Sequence, residues 1–216
     1  MNKRTLILCV AMLSSLLVKG QSSWTLKARE SDIEIYTKNV ENSPFKAIRV
    51  RCAVPATLAQ LVTVILDVNT GVEWVYSTKS STLLKQVSPS ELYYYSEVSL
   101  PWPVSNRDFV AHLIATQDPQ TKVVTINGPT VANYVPEKKN IVRVHRSYGK
   151  WILTPGARPG TVLIDYTLET DPGGSLPPWL VNLFATRGPA ETFKKLKEQL
   201  KKPRYQHARL PFITEP

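Results

Sequence analysis

At 216 residues, 43% of them hydrophobic and 20% charged, the chain is long enough for one sizeable core and too mixed in composition for a fibrous or disordered protein. Two cysteines exclude a disulfide framework and a cysteine-rich metal site. The net charge of +10 leaves an anionic partner open.

Residues 1–20 differ in kind from the rest. Lys3 and Arg4 precede the apolar runs LILCVAML and LLV, and Val18 with Gly20 forms a small-residue cleavage pair, the pattern of a secretory signal peptide cut near Gly20. Ser14 and Ser15 interrupt the run, which falls short of the roughly 20 apolar residues of a spanning helix. A lipoprotein site wants a small residue before its cysteine, and Leu8 precedes Cys9. The mature chain is expected to be exported, periplasmic or secreted, with Cys52 as its sole thiol and a core residue.

Ile33 to Lys38 and Ala47 to Val54 alternate apolar with polar, as half-buried strands do. After Pro55, Leu58, Leu61, Val62, Ile65 and Leu66 mark an amphipathic helix with Thr57 as its cap. From Thr82 the chain reads as about six strands: TLLKQV, ELYYYSEVSL, RDFVAHLIAT, KVVTING, IVRVHRSYGKWILTP and TVLIDYTLET. The links between them are short and turn-like, which favours antiparallel neighbours. Strand character stops at Asp171-Pro172-Gly173-Gly174. A helix then runs from about Ser175 past Leu200, with Trp179, Leu180, Leu183 and Phe184 on one side and a kink at Gly188-Pro189. The tail after Pro203 is expected to be loosely held.

This order predicts an α+β fold: a curved antiparallel sheet wrapped around a long C-terminal helix, enclosing a hydrophobic tunnel. In PWPVSNRDFV, residues 101–110, the prolines keep Pro101 to Asn106 out of helix or central strand, so an apolar loop carrying Trp102 and Val104 leads directly into a strand. A flap over the tunnel has that form. Removing Lys3, Arg4 and Lys19 leaves a charge of +7. Of this, +5 lies between Lys194 and Pro216, in Lys194, Lys195, Lys197, Lys201, Lys202, Arg204 and Arg209 against Glu198 and Glu215. Such a helix is a solvated face or makes transient contact with an anionic membrane; export argues against nucleic acid.

Four stretches, PWPVSNRDFV, WILTP at 151–155, LIDYTLETDPGG at 163–174 and LPPWLVNLF at 176–184, together resemble the START domain, a family of lipid-transfer modules with a helix-grip fold. The resemblance covers about residues 24–202 and implies a signal peptide (1–20), a START lipid-binding domain (21–203) and a C-terminal tail (204–216). It makes residues 100–106 the gating loop and the helix from Leu176 the lid, in a monomer that binds a lipid or other apolar small molecule without a cofactor. Sterol-binding members place an acid and an arginine on adjacent strands inside the cavity. The matching positions here are near Tyr94 and Leu113, neither charged. This implies a more apolar cavity, or a polar anchor from Glu97, His112 or Arg143.

The candidate ligand-binding residues are Tyr94, Trp102, Val104, His112, Arg143, Trp151, Trp179, Leu183 and Phe184. Arg107 and Asp108 are read as a structural junction, because burying either charge alone is costly. His112 shares a strand face with Val110 and Ile114. There is no Gly-x-Ser-x-Gly elbow, no HExxH and no acidic cluster beside the three histidines, so neither catalysis nor a metal is expected. The alternative, a cyclase or hydrolase using the same cavity, has only His112 with Glu97 to draw on.

Overall fold

A computed structural model describes residues 23–216; the expected signal peptide lies outside the described residues. Ten strands form one sheet. They are β1 (Thr25–Glu30), β2 (Ile33–Asn39), β3 (Lys46–Pro55), β4 (Thr78–Ser88), β5 (Glu91–Val98), β6 (Asn106–Gln117), β7 (Val124–Pro129), β8 (Ile141–Arg143), β9 (Arg146–Pro155) and β10 (Thr161–Asp171). Their order is β1-β2-β3-β10-β9-β7-β6-β5-β4, antiparallel throughout, except that β8 pairs parallel to the start of β6. β1 escapes the sequence reading: Trp24, Leu26 and Ala28 do alternate with Thr25, Lys27 and Arg29, but the strand lies at the sheet edge and is mostly exposed. The expected single strand from Ile141 to Pro155 is split at Val144-His145 into β8 and β9.

The helix α1 (Leu58–Leu66) starts where the sequence places it: Thr57 and Gln60 form a reciprocal capping box. A 3-10 turn (Val68–Thr70) and the one-turn helix α2 (Gly71–Trp74) follow. The terminal helix is two helices, α3 (Pro178–Ala185) and α4 (Arg187–Leu200), with the break at Thr186 instead of Gly188-Pro189. The reason is steric. Pro189 cannot accept a preceding helical turn, but it is at ease in the first turn of a new helix, where its missing N–H has no partner to lose.

The concave side of the sheet is filled unevenly. At one end, Leu61 and Val62 of α1 and Leu196 and Leu200 of α4 lie in one core with Val54, Val124, Leu153 and Ile164 of the sheet. Cys52 belongs to this core, and burial pushes its thiol up to about 12. Towards the end where β5 passes into β6, the sheet and the helices stand apart. The segment after α4 is not loose. Tyr205 is buried, Leu210, Phe212 and Ile213 pack on the core, and the Glu215 carboxylate accepts hydrogen bonds from Leu58 N (3.0 Å) and Ala59 N (2.8 Å) at the start of α1.

Candidate functional site

A cavity of about 600 Å³ lies between the concave face of the sheet and helices α2 to α4. Strand parity decides what faces it. From β5 come Tyr94, Ser96 and Val98, from β6 Arg107, Phe109, Ala111 and Leu113, from β9 Gly149 and Trp151, and from β10 Tyr166, Leu168 and Thr170. Trp74 of α2 closes the inner end beside Ile65 and Val68, and Leu180, Val181 and Phe184 of α3 with Phe193 of α4 form the roof. The inner wall is aromatic: Trp151 lies 4.4 Å from Tyr166 and 5.5 Å from Phe193 between ring centres, and 6.4 Å edge-on from Trp74.

Glycine makes the room. Gly128 and Gly149 are paired across β7 and β9, and a Cβ on Gly128 would come within 2.8 Å of Leu113 Cδ2. A Cβ on Gly149 would stand 3.5 Å from Tyr166 Oη, so the phenol ring lies over that glycine.

Of the expected ligand residues, the structure brings Tyr94, Trp151 and Phe184 together on this wall. The others stand elsewhere. Trp102 is 92% exposed at the tip of the 100–106 loop, whose Val104 N–H donates to Pro101 O. Trp179 is 54% exposed, and Leu183, one turn further on, shares its face of α3 outside the cavity wall. His112 is on the outer face of β6: its ring stacks on Tyr93 at 4.1 Å, and Nε2 meets Glu91 Oε1 at 2.7 Å. Arg143 and Glu97 are also on that outer face, so the three proposed polar anchors do not reach the cavity.

They serve instead to tie loops down. Arg143 grips Asp108 with two hydrogen bonds (2.7 and 3.1 Å), both side chains almost fully buried, and donates to Val135 O and Pro136 O. Tyr95 donates to the same carboxylate, and Lys138 lies over the Tyr95 ring. Glu97 accepts from Lys79 (2.9 Å) and Asn106 (2.8 Å), and its carboxyl is held below the usual range chiefly by the Lys79 bond. Asn106 Oδ1 in turn accepts from Leu100 N, closing the base of the loop.

Arg107 is both junction and wall. It is 5% exposed, without a carboxylate partner among the described residues, and burial lowers its pKa. Nη1 donates to Ser105 O (2.6 Å), Nε to Pro172 O (3.2 Å) and Nη2 to Gly173 O (2.9 Å). One guanidinium therefore holds the 100–106 loop and the segment leading into α3.

The basic terminal cluster is largely spent within the chain. Lys194 pairs with Glu30, Lys197 with Asp32, Lys201 with Glu198, and both Lys202 and Arg204 with Glu73. Sequence reasoning missed Trp74, Phe109, Tyr166 and Phe193. For Tyr166 a signal existed: it shares parity with the apolar residues Val162, Ile164 and Leu168.

A strongly bent antiparallel sheet that grips a terminal helix over an internal cavity defines the helix-grip class of fold. Residues 8–206 match the START domain, and the chain belongs to that family. It is 32% identical over 179 residues to an uncharacterized protein of Pseudomonas aeruginosa, covering 83% of this chain and 87% of the relative. It is 26% identical to the phosphatidylcholine transfer protein of Mus musculus, over 77% of this chain and 78% of that protein. Among solved structures, the STAR-related lipid transfer protein fragment from Xanthomonas axonopodis superposes with a TM-score of 0.75 at 35% identity, covering 83% of this chain and 99% of the fragment.

Proposed function

We propose that this protein takes up a lipid, or a comparable apolar small molecule, into the cavity and holds it there without chemical change. The cavity is the observation that carries the reading. Its volume of about 600 Å³ falls within the range of about 300–1,000 Å³ in which pockets enclose small organic ligands. Transfer of each methylene from water to such a wall contributes about 0.8 kcal/mol, so an acyl chain is held firmly with few polar contacts. Relatives named for lipid transfer support the same reading.

In this reading the ligand enters between the 100–106 loop and the segment before α3, which Arg107 joins and whose Leu100 and Pro172 both line the cavity, and movement of these two arms admits it. Trp102 on the first arm and Trp179 in the first turn of α3, just beyond the second, place indoles in water, and tryptophan favours the interface between a membrane and water. Contact with a bilayer is therefore assigned to these two side chains more than to the ion-paired lysines of α4. Export and a monomeric state complete the proposal.

A non-catalytic role is supported by the wall itself, which among the described residues contains no carboxylate, histidine or cysteine. The His112 and Glu97 pair on which an enzyme would rely faces away from the cavity. Mixing delipidated protein with donor vesicles carrying labelled phospholipid, sterol or fatty acid, then with unlabelled acceptors, tests the proposal. Protein-bound label that reaches the acceptors is expected; no label retained from any of the three classes overturns it.

A further inference from the structure

Several polar groups on the cavity wall have no partner in the fold, among them the buried Trp74 indole N–H and the hydroxyls of Tyr94 and Tyr166. Tyr94 and Tyr166 lie deep in the molecule, yet each keeps some accessible surface, and that surface belongs to the cavity wall. Neither hydroxyl has a hydrogen-bond partner among the described residues. The rings are fixed all the same: Tyr94 packs edge-on against Phe109 at 5.8 Å, and Tyr166 lies against Trp151 and Phe193. Both line the same cavity, and burial raises both phenols, Tyr94 to about 12, so they stay neutral. A buried hydroxyl left without a partner is costly, whereas one that meets a ligand group is not.

We infer that the hydroxyls of Tyr94 and Tyr166 form an inner polar subsite for an uncharged hydrogen-bonding group of the ligand, such as an ester or amide carbonyl or a hydroxyl. This rests on the lipid-holding reading and narrows it. The cations on the wall are Lys27, Lys46 and Arg107. Both lysines are solvent-exposed, and Arg107 already donates to three backbone carbonyls at the loop junction. An anionic head drawn to the two phenols would leave water with no opposite charge beside it.

The test is competition against a bound fluorescent acyl probe by three compounds with the same chain: an alkane, its carboxylate and its methyl ester. Wild-type protein is expected to prefer the ester to the alkane by about tenfold to a hundredfold, the range for two neutral hydrogen bonds. It is expected to prefer the ester to the carboxylate as well. The double variant Tyr94→Phe/Tyr166→Phe keeps both ring shapes and brings ester and alkane to within about twofold. A wild type that favours the carboxylate, or an ester preference that survives in the double variant, overturns the inference while leaving the lipid-holding reading intact. If the acyl probe itself is not retained by wild-type protein, both fall together.

Discussion

The most exposed wager at the scale of single residues is the Asp108–Arg143 pair, which is buried on the outer face of β6 and holds the 131–140 loop through Val135 O and Pro136 O. Arg143→Ala leaves a carboxylate in the interior with only the Tyr95 hydroxyl, and should cost about 3–5 kcal/mol in urea unfolding. Glu73 makes a prediction in pH. Hydrogen bonds from Lys202 and Gln199, with the Arg204 charge, bring its carboxyl down to about 2 from an ordinary 4.5. Because the folded value is the lower one, its stabilising effect is present above pH 4.5 and is lost as pH falls towards 2. The wild type should therefore lose stability more steeply than Glu73→Gln across that window, by a modest amount because the site is partly exposed. His112 shows how far residue-level reading reaches. Period two correctly groups it with Val110 and Ile114, but says nothing about which face is the cavity. The usual guide, that the polar face is outside, fails because the 131–140 loop covers the outer face and buries Val110 and Asp108 as well.

Among elements, the two arms at the mouth are expected to move as one. Arg107→Gln removes a charged donor from Ser105 O, Pro172 O and Gly173 O together. Hydrogen exchange should accelerate at least tenfold in both the 99–106 loop and the 172–177 segment, since bonds from a charged donor contribute about 1.5–3 kcal/mol. Faster exchange in the loop alone would show that the arms are independent. At the opposite end, Glu215 acts as an anionic cap for α1. Glu215→Gln should lower stability by about 0.5–2 kcal/mol, seen as a lower melting temperature. Here the sequence was partly legible. Thr57, Gln60 and the spacing of Leu58, Leu61 and Ile65 announce α1 because cap and periodicity are local. The docking of the tail is not local. Glu215 lies 157 residues from the amide it caps, and the short apolar run Leu210 to Ile213 shows no period that names the surface it packs on.

At the scale of the whole molecule, the antiparallel sheet and the helical C-terminal segment could be inferred from alternation and turn spacing, and the START resemblance agrees with both, whereas the pairing of β3 with β10 joins strands too far apart in sequence for any local pattern to announce. The hollow could not be read in the same way. An apolar side chain facing a void and one packed against a neighbour obey the same hydrophobic pattern, so periodicity cannot separate a filled interior from an empty one. What distinguishes them is volume, and here it is set by paired glycines on β7 and β9 and by the break between α3 and α4. Native mass spectrometry of delipidated protein after incubation with mixed vesicles tests that hollow directly, with Gly149→Val as the control because its side chain would grow into the space beside Tyr166. The wild type should carry one lipid per chain and the folded variant should stay bare. A bare wild type with phospholipid, sterol and fatty acid all on offer, or a variant that loads equally well, would contradict the account.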